Sequence, residues 1–99
     1  MNIDGKRGMQ ARADIFKALG HPARLAMVMA LGEKERCVCE LQKLVGSDMS
    51  TVSKHLTVLR NVGLVESDKR GKQVFYALRL KCTLGFVRCV ERAIAERKV

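Results

Sequence analysis

Residues 40–63 read ELQKLVGSDMSTVSKHLTVLRNVG, and the spacing of their apolar side chains decides the fold. Leu41, Leu44 and Val45 share one helical face, which predicts a short helix over 40–45. Gly46-Ser47-Asp48 is a tight turn whose serine or aspartate can cap the next helix. Met49, Val52, Leu56, Leu59 and Val62 then recur at intervals of three and four, the buried stripe of a longer helix that Gly63 stops. A short helix, a turn with glycine and a longer helix form the module whose second helix enters the major groove of DNA.

The flanks complete the pattern. Downstream, Leu64 to Asp68 begins a β-hairpin with its tip at Lys69-Arg70-Gly71-Lys72. The return strand alternates Val74, Tyr76, Leu78 and Leu80 against Gln73, Phe75, Ala77 and Arg79. A last helix over 83–97 carries Phe86, Cys89, Val90, Ala93 and Ile94 on one stripe. Upstream, Ile15, Phe16 and Leu19 mark a first helix over 9–19, ended by Gly20. His21-Pro22 opens a second, with Leu25, Val28, Met29 and Leu31 inward and Gly32 as its stop. Residues 1–99 are therefore expected to form a single winged helix-turn-helix domain, mainly α with a small β-hairpin, the first eight or so residues being flexible. The first and last helices carry apolar stripes that such a core does not obviously cover. They are expected to pair across a two-fold axis as a homodimer, setting two recognition helices ~34 Å apart.

The chain carries 19 Lys and Arg against 10 Asp and Glu, a formal net charge of +9, which favours a polyanionic partner. The excess is concentrated: 49–81 holds seven basic residues and only Glu66 and Asp68 as acids. On the longer helix, the face opposite Val52 and Leu56 presents Ser50, Thr51, Ser53, Lys54 and Thr57, with His55 at its edge and Arg60 a turn further on. These suit base edges and phosphates of double-stranded operator DNA. Lys69, Arg70 and Lys72 at the hairpin tip suit phosphates. No apolar run approaches the ~18 residues of a membrane span, and the first residues lack a secretory apolar core, so a cytoplasmic protein without membrane contact is expected.

Cys37-Val38-Cys39 supplies the remaining chemistry. Without signs of export, two thiols one residue apart point to metal or redox work rather than to a structural disulfide. In an extended segment they lie on one face and can grip one soft ion. In a helix they stand about 200° apart and cannot, so binding would compete with the helix that begins there. Cys82 and Cys89 are ~10 Å apart along a helix, too far to chelate together. Cys89, beside Phe86 and Val90, reads as buried packing.

The segments Ala18-Leu19-Gly20-His21-Pro22-Ala23-Arg24-Leu25, Glu35-Arg36-Cys37-Val38-Cys39-Glu40-Leu41 and Ser53-Lys54-His55-Leu56, with the Gly71-Lys72 wing, resemble the arsenic-repressor (ArsR/SmtB) family over about residues 10–80. The resemblance implies a homodimeric winged-helix repressor that leaves its operator when trivalent arsenic or antimony binds thiolates. No cofactor would be permanently bound. Cys37 and Cys39 fall on the two leading ligand positions. The best-known arsenic sensors place a third cysteine where this chain has Gln42, so a third sulfur must come from Cys82, Cys89 or a solution thiol. Cys82 is the expected choice. In winged-helix folds the segment before the third helix pairs with the wing's return strand, which would bring Cys37 near Leu80 and hence near Cys82.

Two alternatives keep the DNA-binding body. In one, the thiols sense oxidant or sulfide; in the other, they bind Cd(II), Pb(II), Zn(II) or Cu(I). A thiol oxidoreductase would need a thioredoxin-like βαβ pattern, and none is present, nor any Ser/His/Asp, paired-carboxylate or phosphate-loop arrangement. No enzymatic activity is expected.

Overall fold

Helices α1 (Gly5–Leu19) and α2 (Pro22–Glu33) open the computed structural model, which describes residues 5–97. Residues 5–8, expected to be flexible, form the first turn of α1, and Gly8 is buried; residues 1–4 lie outside the described part. The two helices join at His21, which caps α2 by accepting a hydrogen bond at Nδ1 from the Ala23 N–H, 3.1 Å away. Pro22 follows at the first helical position, where no N–H is required.

A two-residue strand, β1 (Arg36–Cys37), leads into α3 (Val38–Val45), and α4 (Met49–Asn61) comes next. Between them Gly46 takes φ +70°, a left-handed conformation that ends α3 at little steric cost. Asp48, rather than Ser47, caps α4: its side chain accepts from the Thr51 N–H at 2.9 Å. Strands β2 (Val65–Arg70) and β3 (Gln73–Leu78) form the wing. They join in a two-residue turn with Gly71 at φ +63° in its first position, as a tight hairpin turn prefers. Helix α5 (Thr83–Glu96) closes the chain. The antiparallel sheet has the order β1-β3-β2, with Arg36 opposite Tyr76 and Cys37 opposite Phe75.

The core lies where α2, α3, α4 and the sheet meet. Met27, Val28, Leu41, Val52, Leu56, Leu59, Leu64 and Val65 are almost wholly buried, with Leu31, Tyr76 and Leu78 packed against them. The predicted stripe of the longer helix is observed at Val52, Leu56 and Leu59, and that of the return strand at Tyr76 and Leu78. Met49 at the start of α4 and Leu44 near the end of α3, both expected inward, are exposed because the core closes only around the middle of each helix. The face of α2 differs from expectation: Met27, Val28 and Leu31 point inward, whereas Met29 is exposed and Leu25 half-buried. The run from Leu25 to Leu31 is apolar nearly all round, so periodicity cannot choose its face; packing does. Gly32 does not stop α2 either, which continues to Glu33. A Cβ on Gly32 would come within 2.5 Å of the Leu84 side chain, so the glycine permits α5 to cross α2 closely.

Helices α1 and α5 leave large apolar side chains uncovered: Met9 and Phe16 on one, Phe86, Val90 and Ile94 on the other. Phe16 and Phe86 meet edge to face, their centroids 5.9 Å apart, so the two helices present one continuous apolar surface. Cys89, expected to be buried on this stripe, is exposed within a single chain for the same reason.

Leu56 joins the recognition helix to the core at 1% exposure. Leu56→Ala is expected to destabilise the fold by about 2–5 kcal/mol in urea denaturation, because the α3–α4–wing junction is closed around it. A shift below about 1 kcal/mol would show that this junction collapses freely.

Candidate effector site and nucleic-acid interface

Cys37 is both the last residue of β1 and the residue that caps α3. Its backbone is extended, at φ −75° and ψ 160°, while helical geometry begins at Val38. The Glu40 carboxylate accepts a hydrogen bond from the Cys37 N–H at 3.3 Å and fixes this entry. Arg36 reinforces it by donating through Nε to the Ala30 carbonyl at 3.0 Å and pairing with Glu33 and Glu40 at 3.2 and 3.7 Å. One thiol position thus lies outside the helix and the other in its first turn.

The consequence differs from the expectation that chelation competes with α3. The sulfurs of Cys37 and Cys39 are bonded as a disulfide, with Cα atoms 5.4 Å apart, while α3 remains intact from Val38. An angular separation of about 200° holds only for two residues of one regular helix. Here the strand-to-helix transition falls between them. Cys37 is buried at 6% exposure and Cys39 is exposed, so one sulfur is held by the protein and the other faces solvent. Both line a cavity of about 240 Å³ shared with Met49, at the start of α4, and with Lys72, Gln73 and Val74 of the wing. The two cysteines therefore share a cavity with both elements expected to meet DNA. Lys72 is the charged side chain on this lining.

Cys82 does not join them. Pairing of β1 with β3 occurs as expected, but its register sets Cys37 opposite Phe75, toward the wing tip, rather than near Leu80. Three further strand residues, on the order of 10 Å, separate Phe75 from the end of β3 before the chain reaches Cys82. Cys82 itself precedes α5, exposed and unbonded. Among the described residues no group of three or more His, Cys, Asp and Glu side chains is arranged to hold a metal ion.

Ser50, Thr51, Ser53, Lys54, Thr57 and Arg60 all lie exposed along α4. The Thr57 hydroxyl donates to the Ser53 carbonyl at 2.9 Å, leaving its oxygen as an acceptor, and Arg60 leans toward Ser67 of the wing at 3.4 Å. His55 departs from this face. It is half-buried against α2, its ring centroid 4.4 Å from that of His21 and its Nδ1 3.4 Å from Arg24. Arg24 in turn donates to the carbonyls of Ala18 and Lys17, at 2.6 and 3.2 Å, so His55 belongs to a polar junction joining α1, α2 and α4. Spacing alone does not reveal this junction, although His21, Arg24 and His55 all lie within the segments that carry the family resemblance.

The wing tip is equally uneven. Lys69 and Lys72 are exposed and make no ion pair among the described residues. Arg70 donates to both oxygens of Glu35, at 2.7 and 2.9 Å, and to Asp68 at 2.9 Å, while its guanidinium covers the Phe75 ring. These bonds hold the Glu35 carboxyl below the usual carboxylate range and raise the Arg70 guanidinium above its own. Arg70, predicted to contact phosphate, is thus occupied by the protein's own carboxylates.

A winged helix-turn-helix with an exposed basic recognition helix defines the class: a regulator-type nucleic-acid-binding fold. The model of the bacterial regulatory protein, arsR family, matches residues 21–67. Over its length the chain is similar to the crystal structure of the transcriptional repressor BigR from Xylella fastidiosa, at 34% identity and a TM-score of 0.75, covering 91% of this chain and 96% of that one. It is also similar to a homodimeric winged helix-turn-helix DNA-binding domain from Mycobacterium bovis, a possible ArsR-family regulator, at 25% identity and a TM-score of 0.82, covering 97% and 94%. A cadmium resistance transcriptional regulatory protein CadC homolog from Staphylococcus aureus is 39% identical over 67 residues, 67% of this chain and 55% of that protein. The chain belongs to the arsR family of bacterial regulatory proteins. It spans little more than half the length of the curated relatives it matches. The family is one of transcriptional regulators rather than enzymes. No helix among the described residues is long and apolar enough to cross a membrane.

Burial, with His21 and Arg24 as neighbours, lowers the affinity of His55 for a proton. The unfolded chain, with an ordinary imidazole near pKa 6.5, then binds the proton more readily than the folded one. This contribution to stability is complete above that value and is lost as the pH falls below it. His55→Gln is expected to flatten the decline of the urea midpoint between about pH 7 and pH 5. An identical decline in wild type and variant would show that His55 does not couple α4 to acid.

Proposed function

We propose that the chain is a homodimeric, cytoplasmic repressor that binds double-stranded operator DNA and releases it when a thiophilic ion reaches Cys37 and Cys39. Trivalent arsenic or antimony is the foremost candidate. The observation that carries this reading is the shared cavity: two convergent sulfurs lie against both the first residue of α4 and the return strand of the wing. An ion held there touches both elements that must fit DNA together. Its binding changes their relation without unwinding α3. Soft ions suit the site because thiolate is a soft ligand.

The donor set fits two sulfur bonds from one chain. For trivalent arsenic, a third sulfur is supplied by a solution thiol or by a second copy of the chain, because Cys82 of the same chain stands off. Binding to DNA uses Ser50, Thr51, Ser53, Lys54, Thr57 and Arg60 on α4 with Lys69 and Lys72 on the wing. His55 acts behind them, through its junction with α2. The exposed apolar surface of α1 and α5 is the dimer contact, a reading supported by the homodimeric state of the Mycobacterium bovis domain.

The disulfide gives a second reading its own support. Two thiols that can bond without disturbing α3 can serve as a redox sensor. An oxidant such as hydrogen peroxide takes two electrons and two protons from the thiols and is reduced to water, and the S–S bond becomes the signal. The CadC homolog's cadmium resistance role supports Cd(II) as an alternative soft ion.

Titration under reducing conditions separates these. Arsenite, antimonite or Cd(II) is expected to release operator DNA with a coupling of about 1–3 kcal/mol, read by fluorescence anisotropy. Cys37→Ser and Cys39→Ser are expected to bind operator as wild type does and to resist release. Release by peroxide alone would favour the redox reading, and loss of DNA binding in the serine variants would make the thiols structural.

Dimerisation has its own check. Phe86→Glu on α5 is expected to convert the dimer to monomer in sedimentation at micromolar concentration while the circular dichroism spectrum stays helical. A wild type that sediments as a monomer would overturn the assignment of this surface.

A further inference from the structure

We propose that Glu35 holds Arg70 away from DNA phosphate, so that the wing carries one cation in reserve. The inference rests on the DNA-binding reading above and deepens it. A wing tip with Lys69, Arg70 and Lys72 offers three cations to a phosphate backbone, yet only the two lysines are unengaged among the described residues. Arg70 is bound in the way a phosphate would bind it. Both terminal nitrogens donate to the two oxygens of Glu35, at 2.7 and 2.9 Å, and the fork that fits a carboxylate also fits a phosphate. Asp68 takes the remaining Nε–H at 2.9 Å, and Phe75 supports the guanidinium plane at 4.7 Å.

The pair is not explained by the core. Both side chains are close to half exposed, and an exposed ion pair contributes little to stability. Glu35 lies 35 residues from Arg70 in sequence, in the connector between α2 and β1, so the bond ties the approach to the thiol pair to the tip of the wing. Its geometric effect is to turn the two terminal nitrogens inward, toward the connector. Opening it would return them to the wing surface, where Lys69 and Lys72 already face solvent.

The test measures salt dependence, because each additional phosphate neutralised steepens the fall of log affinity with log salt by about 0.9. Binding of a fluorescein-labelled, mixed-sequence DNA duplex is followed by anisotropy for wild type, Glu35→Gln, Arg70→Ala and the double variant. Glu35→Gln is expected to steepen the slope by about 0.9, so that between roughly 50 and 200 mM salt its affinity falls some 3.5-fold more than that of wild type. In the Arg70→Ala background the same change is expected to leave the slope where it was. An unchanged slope in Glu35→Gln overturns the proposal. So does an equal increase with Arg70 removed, which would reflect only the loss of a negative charge. Wild type showing no salt-dependent binding would remove the DNA-binding reading, and the proposal with it; wild-type binding with an unaltered Glu35→Gln slope would remove the proposal alone.

Discussion

The pairing of two residues, Arg36 with Tyr76 and Cys37 with Phe75, is the constraint on which the functional geometry depends. It is short, but it holds Cys37 in an extended conformation at the point where the chain becomes helical. A backbone N–H or carbonyl at such a junction must find a partner. Here the ladder to β3 and the Glu40 carboxylate supply them. From that arrangement follow the convergence of the two sulfurs, the burial of Cys37 and the placing of Glu35 within reach of the wing.

Coupling between a small effector and a DNA-reading surface requires that the effector touch something whose position the DNA senses. Under the proposed function, the Cys37–Cys39 site meets that requirement through the cavity it shares with both elements. Met49 begins α4, Lys72 closes the wing's turn, and Gln73 and Val74 begin its return strand, all on the same cavity. The core beneath, with Leu41, Val52, Leu56 and Leu59 wholly buried, makes α3 and α4 one packed body. In the proposed reading, a change at the two sulfurs meets a closely packed unit rather than a loose one.

Much of the architecture is legible because most helices and the return strand have one polar and one apolar face. The intervals through Val52, Leu56 and Leu59, and the alternation through Val74, Tyr76 and Leu78, can be read directly, although Met49, on the same stripe, is exposed. Periodicity misleads where a segment lacks such contrast or where two elements meet. Along α2 almost every residue is apolar, so the pattern places Met29 inward although packing turns it out. Gly32 looks like a stop because glycine often is one, when its role is to admit Leu84. Cys89 sits on an apolar stripe and so looks buried, but such a stripe does not say whether its cover comes from the same chain.

The sequence by itself determined that this protein is a winged helix-turn-helix, which face of α4 is exposed, and which two thiols stand together, because these follow from residues close in sequence. Tertiary structure alone decided what long-range register and side-chain reach control. Antiparallel pairing put Cys37 opposite Phe75 rather than near Leu80, leaving Cys82 apart. Packing of α4 on α2 drew His55 to His21 and Arg24. Closure of the wing over the connector gave Arg70 to Glu35 across 35 residues. Such contacts depend on where the backbone returns in space, and no local pattern records that.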